Sequence, residues 1–140
     1  YLSSNYKKNL DPKTSFESLI DKNLNLWSII GKGMGINISY ALQPVANWCD
    51  KKNSIEEKKI FDESDLIDHN RHILSLIDLK KYDLIKNLLT KGCKKYDIKF
   101  MDCNESIGKK NIHKEWIFLD RFHLNDKGSR YISESLLSIV

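Results

Sequence analysis

An α/β fold is what this sequence predicts, and three observations carry that expectation. Two short runs rich in β-branched and aromatic residues, Ile36–Leu42 and Asp97–Asp102, read as strands. Between them lies helical periodicity long enough for a crossover, which implies that the strands run parallel. The chain has 140 residues, one domain's worth, with 41% hydrophobic and 30% charged residues, well away from the composition of disordered chains.

The first element begins near Thr14-Ser15, with Glu17 in its first turn. Leu19, Ile20, Leu24, Leu26, Trp27 and Ile30 follow at helical spacing. Residues 1–13 carry no such signal and are expected to be irregular. The helix should stop within Gly31-Lys32-Gly33-Met34-Gly35, a run suited to a C-cap. This run is not read as a phosphate cradle, because it follows a helix, whereas nucleotide fingerprints follow a strand. The strand Ile36–Leu42 is closed by Gln43-Pro44, since proline cannot continue a central ladder.

Val45–Ile55 reads as a loop carrying Trp48. Ser54-x-x-Glu57 is a capping-box signature for a helix, or two in series, over Ile55–Leu79 with a break near Phe61–Ser64. A further helix is expected from Tyr82 to Lys95, with Leu84, Ile85, Leu88 and Leu89 on its apolar face. The second strand follows, then a polar loop, then the apolar run Trp116-Ile117-Phe118-Leu119. Asn125 can cap a last helix whose core stripe is Tyr131, Ile132, Ser135, Leu136 and Ile139. Two strands are too few for a covered parallel sheet, so a missing N-terminal segment or a partner chain is expected to complete it.

The charge pattern separates some functions from others. The net charge of +4 comes from 23 basic residues, of which only Arg71, Arg121 and Arg130 are arginines. Dispersed lysine pairs among 19 carboxylates suit a solvated surface better than a nucleic-acid stripe, so no nucleic-acid partner is expected. No apolar stretch is long enough for a membrane span. Tyr1–Lys8 lacks the apolar core of a signal peptide. Position 1 is not Met, so this is not expected to be the natural start of the gene product. Cys49, Cys93 and Cys103 are odd in number and form no C-x-x-C pair, which fits a reducing, cytoplasmic compartment and leaves a periplasmic or secreted protein with free thiols open. None of the three has a base nearby in sequence, and they read as small buried residues.

The run Phe118-Leu119-Asp120-Arg121-Phe122-His123-Leu124-Asn125-Asp126-Lys127-Gly128 carries the most chemistry. A carboxylate three residues before a histidine can hold one imidazole nitrogen and leave the other as a base. The plainer alternative is a pair that satisfies backbone groups where a helix begins. Gln43 sits at the carboxyl end of a strand, where open α/β sheets bind ligands; it is a candidate substrate contact or an ordinary strand terminator. Trp48 is a candidate substrate wall, though a core cover is the better reading. Asp65, His69 and His72 share one helical face and could hold a metal, but a polar solvated face explains the pattern without cost and is the better reading. No metal or cofactor site is therefore assigned.

The Asp120–Gly128 block resembles the C-terminal block of the SGNH/GDSL hydrolases, a family of esterases and deacetylases. The resemblance implies a three-layer α/β/α, flavodoxin-like fold, with Asp120 as the orienting acid and His123 as the general base. It extends more loosely over residues 14–140, with Ile36–Pro44 and Ile98–Asp102 matching family strands. It implies a small-molecule or carbohydrate ester substrate and no cofactor. The family's Gly-Asp-Ser nucleophile block and its Gly-x-Asn-Asp block are absent here. Gly35-Ile36-Asn37 opens a strand and is not assigned to the latter. The chain is thus expected to be the C-terminal part of such an enzyme, or else a non-catalytic interaction module or degenerate relative.

Overall fold

The computed structural model describes residues 15–67, 74–110 and 112–139. Helix α1, Phe16–Met34, is N-capped by Ser15, whose Oγ accepts from the Ser18 N–H at 3.1 Å, and it closes at Gly35 with φ 65°. Strand β1 is Ser39–Leu42. Helix α2, Ile55–Asp65, has both halves of the capping box read from Ser54 and Glu57. Helix α3 is Leu79–Tyr96, strand β2 Lys99–Asp102, helix α4 Cys103–Lys109 and helix α5 Asp126–Leu136.

β1 and β2 pair in parallel, in register from Ser39 opposite Lys99 to Leu42 opposite Asp102. The protein is thus mixed α/β, as expected, and among the described residues the sheet has two strands. Both strands are shorter than their sequence runs. The Ile36 and Ile98 N–H groups instead donate to the helix-end carbonyls of Gly31 and Cys93, at 3.0 and 2.9 Å. Satisfying the open end of a helix competes with extending the ladder, and here it wins.

Three other expectations are corrected. α3 starts at Leu79 rather than Tyr82, because Asp78 takes an extended conformation and its Oδ1 accepts from the Lys81 N–H at 2.9 Å. That cap also ends the helical stretch expected to reach Leu79. α3 ends at Tyr96, within one residue of the expected Lys95, and Gly92 within it is a point of close approach, where a Cβ would lie 2.5 Å from Leu24 Cδ1. The polar loop expected after β2 instead contains α4, capped by Asp102, with Cys103, Asn104 and Ile107 turned inward. Leu84 is exposed, and the inward face of α3 is Tyr82, Leu89, Gly92 and Cys93.

Two apolar clusters result. Leu24, Leu89, Cys93 and Ile98, with Ile38, Tyr40 and Phe100, fill the space between α1, α3 and one sheet face. Ala46, Cys49, Phe61, Ile107, Ile117 and Phe118 form the second cluster with α2, α4 and α5. Tyr131 and Ile132 of the predicted α5 stripe pack against it. α1 buries less than its periodicity suggests: Leu24 is buried, while Leu26 and Trp27 stay 54% and 43% exposed. No described helix is long and apolar enough to cross a membrane.

The burial split on α1 has a direct test. Leu24→Ala should cost about 2–5 kcal/mol in denaturant unfolding, and Leu26→Ala within about 0.5 kcal/mol of nothing. Equal losses would contradict this packing.

Candidate active site

The site is assembled from the chain entering it. Glu57 is fully buried, and its carboxylate does more than close the capping box. Oε2 accepts from the Ser54 N–H at 2.8 Å and from Lys51 Nζ, which is itself almost fully buried. Oε1 accepts from the Ile117 and Phe118 N–H groups at 2.9 and 3.0 Å. This fixes the apolar run two residues ahead of Asp120.

From there the chain folds back on itself. The Asn125 N–H donates to Ile117 O at 2.9 Å, and the Leu119 N–H to His123 O at 2.8 Å. Phe118 and Leu124 form an antiparallel bridge. Asn125 then caps α5, its Oδ1 accepting from the Gly128 N–H at 2.9 Å. Gly128 is required by close approach, because a Cβ there would stand 2.6 Å from Ile117 O. The glycine five residues after His123 therefore lets α5 seat directly on the Glu57-held segment.

Residues 120–123 form the tip. Asp120 Oδ1 accepts from the Phe122 and His123 N–H groups at 2.7 and 2.8 Å, and Oδ2 lies 2.7 Å from His123 Nδ1. Partial burial pushes the Asp120 carboxyl up. The Phe122 N–H, the imidazole and the His123 N–H outweigh it and hold the pKa below the ordinary carboxylate value. An ionised Asp120 facing Nδ1 selects the tautomer protonated there, leaving the Nε2 lone pair as a base. The His123 side chain is 74% exposed, and Nε2 has no hydrogen-bond partner among the described residues. Asp120 and His123 are thus brought together as the sequence predicts.

The tip lies beside the carboxyl end of the sheet. Gln43, the residue after β1, donates from Nε2 to Phe122 O at 2.9 Å, and the Ala46 N–H donates to Arg121 O at 2.9 Å. The post-β1 loop is tied in turn to β2. Asn104 Oδ1 accepts from the Val45 N–H at 2.8 Å, and its Nδ2 donates to Gln43 O and Asp102 Oδ1. Asp102 Oδ2 accepts from Tyr82 OH at 2.6 Å. Burial and the Asp102 carboxylate push the Tyr82 phenol up.

Trp48 covers core, stacking on Tyr82 with ring centroids 5.3 Å apart and donating from Nε1 to Ile77 O. His69 and His72 lie outside the described residues. Asp65, the third member of that trio, pairs with Arg121. Among the described residues no group of three His, Cys, Asp or Glu side chains could hold a metal ion. All three cysteines are buried and free of disulfides, and the Cys49 thiol donates to Asn104 Oδ1 at 3.6 Å. Burial pushes the Cys49 thiol up to about 12, helped by the Asp102 charge, and those of Cys93 and Cys103 to about 11. Sequence reasoning passes over Asn104, Asp102 and the reach of Glu57; the capping box is the one signal that singles out Glu57.

The sequence matches no protein-family model, and it is not significantly similar to any curated protein.

Two outcomes follow. Glu57→Ala strands a buried lysine and three buried N–H groups, so denaturant unfolding should show a loss of about 3–5 kcal/mol; a loss under 1 kcal/mol would remove Glu57 from this role. In the native protein at pH 8 the three thiols should react with a disulfide reagent about a hundredfold or more slower than in the unfolded chain. Prompt modification of even one would contradict their burial.

Proposed function

We propose that this chain supplies the acid and base of a serine ester hydrolase of the SGNH/GDSL kind. The supporting observation is the Asp120–His123 contact of 2.7 Å on a tip pinned beside the carboxyl end of β1, with the far side of the imidazole exposed. The proposed substrate is an acyl or O-acetyl ester, on a small molecule or a carbohydrate. The compartment is cytoplasmic, and the two parallel strands belong to a larger three-layer, flavodoxin-like sheet. The nucleophilic serine and the oxyanion donors come from a segment outside these 140 residues or from a partner chain.

In that assembly Nε2 of His123 takes the Ser Oγ proton as Oγ attacks the ester carbonyl. The tetrahedral intermediate collapses, the ester C–O bond breaks, and the imidazolium returns the proton to the leaving alcohol. Water then attacks the acyl-enzyme, giving its proton to Nε2. The carboxylic acid departs and Ser Oγ recovers a proton. Asp120 holds the ring throughout and stabilises its cation. Every step is proton transfer and acyl exchange, for which neither a metal nor an organic cofactor is required. Gln43 lies close enough to the tip to touch a bound ester, although its side-chain N–H already serves Phe122 O.

One feature favours a second reading, a non-catalytic module that completes another chain's sheet. A groove of about 490 Å³ runs beside β1, lined by Trp27 and residues 37–41, and Leu26 and Ile29 of α1 are exposed beside Trp27 along the helix.

Acetyl-ester turnover by the full gene product separates the two. In the hydrolase, His123→Ala should lower kcat by at least about a hundredfold. Turnover that His123→Ala leaves at the wild-type rate would exclude the dyad, and a wild type with no turnover would favour the module.

A further inference from the structure

We propose that Arg121 is a positioning residue for His123, holding the tip in place through its ion pair with Asp65; this rests on reading Asp120 and His123 as the acid–base dyad. His123 is mostly exposed, and its ring is held by one contact, to Asp120. Packing therefore does little to fix the imidazole, which inherits its place from the tip backbone. The two N–H bonds to Asp120 Oδ1 are local, spanning two and three residues. They set the shape of the turn, and they leave its location relative to the sheet undetermined.

Location is set by what leaves the turn, and Arg121 makes the strongest of those contacts. Its Nε donates to Asp65 Oδ1 at 3.1 Å and its Nη2 to Asp65 Oδ2 at 2.5 Å, a bidentate fork. Nη1 donates to Asn47 Oδ1 in the post-β1 loop. The guanidinium carbon lies 4.6 Å from the centre of the Phe61 ring on α2. The two side chains are 17% and 29% exposed, so the pair is partly withdrawn from water and less screened than an open surface pair. Asp65 is also the last residue of α2. A carboxylate there opposes the helix dipole unless a cation answers it, so Asp65 and Arg121 each remove the other's penalty.

One residue between the two dyad members thus reaches α2, the loop after β1 and a buried ring. Gln43 Nε2 on Phe122 O and the Ala46 N–H on Arg121 O complete the attachment. These two are neutral hydrogen bonds, whereas the Arg121 fork is charged at both ends.

The test reads the imidazole itself. In protein carrying 15N-labelled histidine, the His123 resonances are assigned by their loss in His123→Gln. The expected wild-type signature is a protonated Nδ1 with a low-field Hδ1 resonance and an unprotonated Nε2 in the neutral ring. Arg121→Met and Asp65→Asn should both lose the low-field proton and show mixed tautomers while circular dichroism reports a folded chain. Arg121→Lys should restore part of the signature. Combining Arg121→Met with Asp65→Asn should add little to either alone. In the full gene product each single variant should lower kcat about tenfold with KM within about twofold.

A purely stabilising ion pair would lower the melting temperature and leave the ring signature of the folded fraction unchanged, and that result overturns the proposal. Should Arg121→Met fail to fold, Asp65→Asn, which keeps the side chain's size, decides alone. If the wild type turns over no ester yet the variants scramble the tautomer, the positioning role stands and the hydrolase reading falls. Wild-type turnover with an unmoved ring in both variants gives the reverse.

Discussion

A carboxylate taken fully out of water persists only when its charge and its lone pairs are answered. Glu57 is answered four times, by Lys51 Nζ and by the N–H groups of Ser54, Ile117 and Phe118. Two of these donors belong to its own helix start and its approach, and two to an irregular segment 60 and 61 residues away along the chain. Among the described residues no backbone carbonyl takes up the Ile117 and Phe118 N–H groups, and the carboxylate stands in for one. That substitution lets a short, irregular stretch lie buried against Phe61 and Ile107 and still deliver Asp120 to a defined place.

The second anchoring point is the pair of strand ends. Asp102 closes β2, caps α4 and accepts from Tyr82, while Asn104 binds both Gln43 O and the Val45 N–H. Through Gln43 and Ala46 the same loop reaches the tip. Two routes, one through Glu57 and one through Asn104, therefore converge on four residues. His123 stays exposed at the end of both. A firm support under an open imidazole suits the proposed proton transfer: the ring is oriented by Asp120 and Nε2 is accessible.

What the sequence made legible were features with local causes. Ser15, Ser54 and Asn125 cap helices because a short side-chain oxygen reaches an N–H three residues on, a relation visible in any single sequence. The Asp120–His123 contact is equally local. Features that depend on distant partners were hidden. Leu26 and Trp27 fall at helical spacing, but nothing within the chain shows that no neighbour covers them. Helix α4 is seven residues long, and its exposed Glu105 and Lys109 make the segment look like a loop. Arg121 is an ordinary charged residue until folding brings Asp65, Asn47 and Phe61 around it. Glu57 was legible as half of a capping box, and illegible as the partner of Ile117.

The account stands most directly on that last partnership. Native-state hydrogen exchange measures it at the two N–H groups involved. If Glu57 holds this segment, the amides of Ile117 and Phe118 exchange only through global unfolding, alongside those in the middle of α3. Exchange of both at the rate of the exposed tip would contradict it and remove Glu57 from the placement of Asp120 and His123.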